Sequence, residues 1–260
     1  MMTRNDGFFI IGAQRAGTTY LYRVLDEHPE VYMAKPVRPE PKFFLYPEEV
    51  KKGKAYYFSK HYSGMTKQED IWGEKGTSYI ELEESGRRIK QMFPQSRIII
   101  SLRNPIYRAI SNYYLSYEND LEKRTLEEVF LEKKREPDID TSRISVSPFN
   151  YLGRGEYLSF IKTYLTIFNE KQVKILIHEN TTKNVSVIQE LYAFLGVNSR
   201  FSPPSFNVKA NASIVTHTPH PLVVEELSEY YYNHINQLEI FLGINLDVWK
   251  NLKQSDENTV

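Results

Sequence analysis

The sequence predicts an α/β protein: a parallel β-sheet flanked by helices on both faces, in a single domain covering residues 1–260. Three observations carry this. Phe8–Ile11, Ile98–Leu102 and Val173–Ile177 are short, unbroken apolar runs, the pattern of strands buried on both faces. Segments of helical periodicity lie between them, as crossover connections between parallel strands require. No internal repeat, low-complexity tract or shift of composition marks off a second domain. The ends, 1–6 and 251–260, read as loose.

Each element follows from its local pattern. After Phe8–Ile11 comes a glycine-containing turn, and then Leu21, Val24, Leu25 and His28 recur at helical spacing until Pro29 stops them. Tyr107–Asp120 is expected to be helical, with Ile110, Tyr113, Tyr114 and Tyr117 on one face. Thr125 and Glu128 have the spacing of a capping box. Tyr157–Phe168 is a further amphipathic helix, and Val185–Leu195 another, closed by Gly196 as a left-handed cap. Pro219 and Pro221 introduce a long helix, Leu222–Leu242, which Gly243 ends. Lys35–Pro47 and Glu136–Gly153 are proline-rich or irregular and read as functional loops at the sheet edge.

Composition narrows the function. The chain has no cysteine, which excludes disulfides, thiolate metal sites, iron–sulfur clusters and cysteine nucleophiles. Its 33 Lys and Arg match its 33 Asp and Glu, so bulk charge favours neither nucleic acid nor an anionic membrane. No apolar run approaches a membrane span, and the start MMTRNDGFFIIG has too short an apolar stretch for a secretion signal. A cytoplasmic protein is expected. The acidic run Glu81–Glu84 and the basic run Lys133–Arg135 read as solvated faces. His217 and His220 are separated by a proline and have no neighbouring carboxylate, so no metal site is expected there.

The most informative stretch is FFIIGAQRAGTTYL, residues 8–21. A buried strand enters Gly12, Gln14, Arg15 and Ala16 lead to Gly17, and Thr18 and Thr19 open a helix. This is a P-loop-like layout, in which backbone N–H groups and a helix N-terminus converge on an anion. It departs from the nucleotide-binding Walker pattern, because Thr18 stands where that pattern has lysine and the loop's cation is Arg15. In the stretch IIISLRNPIYRAISNYY a strand ends in Arg103, and Ser111 follows eight residues later. The guanidinium offers a planar fork of donors to a dianion and the hydroxyl offers one more.

Together these two motifs resemble sulfotransferases that use 3′-phosphoadenosine-5′-phosphosulfate (PAPS). The resemblance implies that Gly12, Gln14, Arg15, Ala16, Gly17, Thr18 and Thr19 bind the 5′-phosphosulfate, and that Arg103 and Ser111 hold the 3′-phosphate. Three shorter elements are similar to the carbohydrate branch of that family, which modifies heparan chains. EPKFF, residues 40–44, makes Glu40 the candidate base, with His61 and Glu74 next in line. EKGTSY, residues 74–79, makes Lys75 a candidate for the sulfuryl or acceptor region. RGEY, residues 154–157, places Arg154 and Tyr157 beside the cofactor. The family's C-terminal phosphate clamp has its nearest counterpart here in NVKANAS, with Lys209 and Ser213.

The function implied is sulfuryl transfer from PAPS, as co-substrate and without a metal, to a hydroxyl or amine of a small-molecule or glycan acceptor. Two other readings stand beside it. A P-loop kinase or NTPase needs a lysine after Gly17, and a metal-binding carboxylate that Glu179 alone could be argued to supply. A non-catalytic nucleotide- or glycan-binding protein would have no use for a base at Glu40.

Overall fold

The computed structural model describes residues 6–66, 69–137, 146–207 and 220–250. Of the expected loose ends, 1–5 and 251–260 lie outside these residues, whereas Asp6 is placed and accepts a hydrogen bond from the Gln95 N–H at 2.7 Å.

Among the described residues, 6–66, 69–103 and 162–207 form one compact unit. It contains five strands: β1 (Phe8–Gly12), β2 (Val31–Met33), β3 (Ile71–Lys75), β4 (Arg97–Leu102) and β5 (Val173–Ile177). They form one sheet in the order β2-β3-β1-β4-β5, and every pairing is parallel. β1 is the central strand, with Phe8, Phe9 and Ile10 opposite Gly73, Glu74 and Lys75 of β3. Side chains alternate between the faces of a strand. Phe8 and Ile10 therefore join a core built with Leu21, Val24 and Leu25 of helix α1 (Thr18–Asp26) and with Ile188, Leu191 and Tyr192 of the helix Val185–Leu195. Phe9 turns to the other face, edge-on to Phe44 and Trp72 at ring separations of 5.4 and 5.5 Å. The helix Gly53–His61 adds Tyr57 and Phe58 to that aromatic cluster, and Phe93 follows the helix Glu83–Met92 into it. The expected parallel sheet with helices on both faces is thus present.

Two of the five strands correct the sequence reading, which recognised three. β2 is three residues long, too short for a periodic signal. β3 reads Ile-Trp-Gly-Glu-Lys, and its two charged residues mimic a surface segment although all five are buried.

The second unit comprises, among the described residues, 104–137, 146–161 and 220–250. Its helix Pro105–Glu118 starts two residues before the expected position, because the Asn104 side chain accepts from the Ile106 N–H and Pro105 occupies the first turn, where its missing donor costs nothing. Ile110 and Tyr113 of this helix are buried, but Tyr117 is 52% exposed, so the expected apolar face stops a turn early. The capping box forms as expected, with both reciprocal hydrogen bonds between Thr125 and Glu128. Gly196 and Gly243 close their helices in the left-handed conformation, the first in the first unit and the second in this one. Tyr231 of the long helix Pro221–Leu242 is buried and donates to the Leu152 carbonyl at 2.7 Å, while Tyr230 and Tyr232 are exposed.

Candidate functional site

Parallel sheets present ligands at the C-terminal ends of their strands, and here the ends of β1, β3, β4 and β5 carry the chemistry. β1 runs out through Gly12 into the loop Ala13–Gly17, which is pinned to the adjacent β4. The Ala13 N–H donates to the Ser101 carbonyl at 2.8 Å, and the Ser101 hydroxyl donates to the Ala16 carbonyl at 2.6 Å. Arg103, at the end of β4, reaches the Arg15 carbonyl with Nη1 at 3.4 Å. Gln14 points its amide toward the Ser78 hydroxyl at 3.5 Å. Gly17 is the N-cap of α1 at φ 75°, and no acidic residue lies in the first turn of that helix. The first N–H groups of a helix have no intrahelical partner, and the macrodipole adds positive charge there, so this end suits an anion. Such a site takes a phosphate or sulfate without any metal ligand of its own.

Gly17 also has a partner that the sequence did not reveal. His178 lies directly after β5, and a Cβ at Gly17 would stand 2.1 Å from its Nδ1. Burial, with the Arg103 guanidinium nearby as a second cause, pushes the imidazole pKa down to about 4, so the ring is neutral at physiological pH. A neutral ring adds bulk against the loop without adding charge. Its place at a strand end was the signal available in the sequence; its contact with Gly17 was not legible.

The end of β3 supplies the second half of the site. Lys75 is 3% exposed, and its ammonium makes an ion pair with Glu40 Oε1 at 3.1 Å while Thr19 Oγ1 of the donor loop lies 3.5 Å away. Oε2 of Glu40 accepts from the Thr77 N–H at 2.8 Å and from the Thr77 hydroxyl at 2.9 Å. The proline-rich loop thus hangs its carboxylate on the strand beside β1. Fixed φ angles at Pro36, Pro39 and Pro41 limit the ways that loop can move.

Glu74, the neighbour of Lys75, points into the aromatic core. It is fully buried and accepts hydrogen bonds from the hydroxyls of Tyr57 and Tyr79, and Tyr79 in turn accepts from the Phe44 N–H at 3.4 Å. Burial is the largest influence and raises its carboxyl to about 7; the two tyrosine hydrogen bonds pull it down and Glu40 pushes it up. The folded chain therefore holds a proton that the unfolded chain releases near 4.5. Protonated Glu74 contributes stability below that value, and the contribution is lost as pH rises through about 7. Chemical denaturation of wild type and Glu74→Gln between these limits is expected to show wild type losing ground steadily to the variant, then levelling off in the alkaline range. Parallel curves throughout would mean that Glu74 is already ionised in the fold.

The remaining sequence candidates fall differently. His61 is buried, with Nδ1 3.4 Å from the Lys35 carbonyl, and burial lowers its pKa. Ser111 lies on the helix Pro105–Glu118 of the second unit. Arg154 and Tyr157 belong to the same unit and to its interior. Arg154 donates to Asn112 Oδ1 at 2.9 Å and to the Ser147 carbonyl at 2.6 Å, and Tyr157 packs its ring 6.3 Å from that of Trp249. Lys209 and Ser213 lie outside the described residues. Thr77, which the sequence reading passed over between Lys75 and Tyr79, approaches Glu40 more closely than the lysine does.

A strand, a glycine-bounded loop carrying Arg15, and a buried Lys–Glu pair beside it form a site suited to an anion on an α/β sheet. Residues 5–220 match the family described as the sulfotransferase domain. The chain belongs to that family, whose members take the sulfuryl group from PAPS. The bifunctional heparan sulfate N-deacetylase/N-sulfotransferase 1 of Mus musculus is 29% identical over 197 residues, which cover 73% of this chain and 22% of that protein. The heparan sulfate glucosamine 3-O-sulfotransferase 6 of Homo sapiens is 38% identical over 104 residues, 40% of this chain and 28% of that protein. The chain therefore matches less than a third of the length of these curated relatives. Among solved structures, a sulfotransferase from Alicyclobacillus acidocaldarius superposes with a TM-score of 0.77 at 26% identity, covering 96% of this chain and all of that one. A mouse sulfotransferase, SULT7A1, solved with PAP, shares the fold at a TM-score of 0.50 and 17% identity, over 96% of this chain and 88% of that one. Among the described residues, no helix is long and apolar enough to cross a membrane.

Proposed function

We propose that the chain transfers a sulfuryl group from PAPS to a hydroxyl or amine of a carbohydrate or glycoconjugate, with Glu40 as the general base. The observation that carries this reading is the Lys75 ammonium, paired with Glu40 and 3.5 Å from Thr19 of the phosphate loop, so that base and donor loop share one neighbour. The similarity to heparan sulfate sulfotransferases supports a glycan acceptor.

The donor fits the residues present. The glycine-bounded loop and the first turn of α1 supply N–H groups to the 5′-phosphosulfate, Arg15 adds a fixed charge, and Arg103, at the neighbouring strand end, is the cation for the 3′-phosphate. On the family resemblance, Ser111, Tyr157 and Lys209 are the further candidates for binding the donor. Glu40 takes the proton from the acceptor O–H or N–H as the new bond to sulfur forms. The bridging S–O bond breaks in line with it, and its electron pair stays on the 5′-phosphate oxygen, where the loop donors and Arg15 stabilise the charge. Lys75 steadies the sulfuryl oxygens. As in phosphoryl transfer, the work is positioning and electrostatics.

The test starts with ligand binding. Adenosine 3′,5′-bisphosphate is expected to raise the unfolding temperature without Mg²⁺, and far more than ATP does. Arg103→Ala should weaken it by about 1.5–3 kcal/mol, the scale of a charge-assisted hydrogen bond, and barely affect an analogue lacking the 3′-phosphate. Equal shifts from ATP–Mg²⁺ would favour the P-loop kinase or NTPase reading. Radiolabelled PAPS offered with desulfated heparin, a glycolipid and a simple phenol reads the acceptor class, and label confined to the phenol would overturn the glycan assignment.

A further inference from the structure

We propose that Thr77 is a positioning residue that fixes which oxygen of Glu40 acts as the base. This rests on the reading of Glu40 as that base. Both donors of Thr77, its N–H and its hydroxyl, fall on one carboxylate oxygen, Oε2, at 2.8 and 2.9 Å. An oxygen accepting two hydrogen bonds is a poor proton acceptor, because taking the proton means giving one of them up. Oε1 is left for the reaction.

The partner of Oε1 has a different character. Lys75 is an ammonium on a flexible stem with a second attachment point close by, Thr19 Oγ1 at 3.5 Å. An anionic donor on the phosphate loop competes for that ammonium. The two hydrogen bonds from Thr77 have no such competitor among the described contacts of Glu40, and the backbone of Thr77 is held in place. The Gly76 N–H continues the sheet by donating to the Ile10 carbonyl at 2.9 Å. The Thr77 carbonyl lies 3.2 Å from where a Cβ of Gly12 would stand, so the turn is packed against the entrance of the donor loop. Thr77 thus clamps the far oxygen of the base to the strand that neighbours β1, and leaves the near one covered by a group that the donor can draw away. In the transfer step Oε1 receives the acceptor proton, the acceptor forms its bond to sulfur, and the S–O bond to the 5′-phosphate breaks with its electron pair on the phosphate.

The experiment compares Thr77→Val, which deletes the hydroxyl and keeps shape and backbone N–H, with Thr77→Ser, which keeps the hydroxyl. De-N-sulfated heparin and radiolabelled PAPS serve as substrates. Thr77→Val is expected to lose about 10-fold or more in kcat, the scale of one hydrogen bond to a charged group. Its KM for PAPS should stay at the wild-type value. Thr77→Ser should rescue the loss and stay within about threefold of wild type in kcat. If Thr77→Val does not fold, Thr77→Ala carries the same expectation.

Glu40→Gln run in parallel separates the two readings. If it is inactive while Thr77→Val keeps the wild-type rate, the role of Thr77 is overturned and the base stands. If Glu40→Gln itself turns over normally, both fall. Equal losses in Thr77→Val and Thr77→Ser would also overturn the inference, because the hydroxyl would not be the cause.

Discussion

Glu40→Gln is expected to cut turnover by at least ~100-fold, the low end for general-base catalysis, and to leave affinity for adenosine 3′,5′-bisphosphate unchanged. The separation follows from where the residue sits. Its contacts are with Lys75 and Thr77 on the β3 side, and none of its described hydrogen bonds goes to the loop Ala13–Gly17. A base acts on the acceptor, so single-turnover rates should fall while donor titrations superpose on wild type. The substitution also has a structural cost. A carboxylate satisfies Thr77 with one oxygen and Lys75 with the other, whereas a glutamine has one carbonyl oxygen for both. Whichever way the amide turns, either the Thr77 donors or the buried ammonium face an NH₂ group. Circular dichroism should show the native fold, with a lower unfolding temperature than wild type. A purified variant that turns over its acceptor at near the wild-type rate would remove Glu40 from the mechanism.

Gly17→Ala is expected to be the most damaging single methyl group in the donor loop. At φ 75° an alanine is strained by about 1–2 kcal/mol. Its Cβ would also overlap the His178 ring, 2.1 Å from Nδ1, and overpacking of this kind costs about 1–3 kcal/mol. The sum, roughly 2–5 kcal/mol, falls on a loop whose N–H groups must all point at one anion, so donor affinity should collapse with stability. The double variant Gly17→Ala/His178→Ala divides the cost. Removing the ring relieves the overlap and leaves the backbone strain, so part of the stability should return. A Gly17→Ala protein with wild-type stability would show that the loop relaxes more freely than its pins at Ser101 imply.

Much of this was legible in the sequence. β1, β4 and β5 announce themselves as apolar runs, because a strand covered on both faces has little room for polar residues. The donor loop was legible for a related reason, since a glycine pair between a buried strand and a threonine pair has few other uses. β3 was hidden by its own function. Glu74 and Lys75 look like a solvated edge, and each is buried through partners distant in sequence: Tyr57 on a separate helix for one, Glu40 on the proline-rich loop for the other. Pairwise neutralisation across the chain has no local signature. Tyr117 failed in the opposite sense. Helical spacing placed it on the apolar stripe, but in the last turn its ring stacks on Tyr113 at 5.9 Å and stays exposed.

The sheet order has a bearing on descent and redesign. On the proposed reading the donor loop grows out of β1, while the acceptor's base is carried by a separate stretch of chain fastened to β3, and a ladder of three residue pairs joins the two strands. The stretch around residues 36–47 can therefore drift, lengthen or be exchanged for that of a cousin with a different sugar preference, provided that a carboxylate still lands on Lys75 and Thr77. Donor recognition need not be relearned at each exchange. In such an architecture novelty accumulates on one side of the reacting sulfur atom, and the other side stays an inheritance.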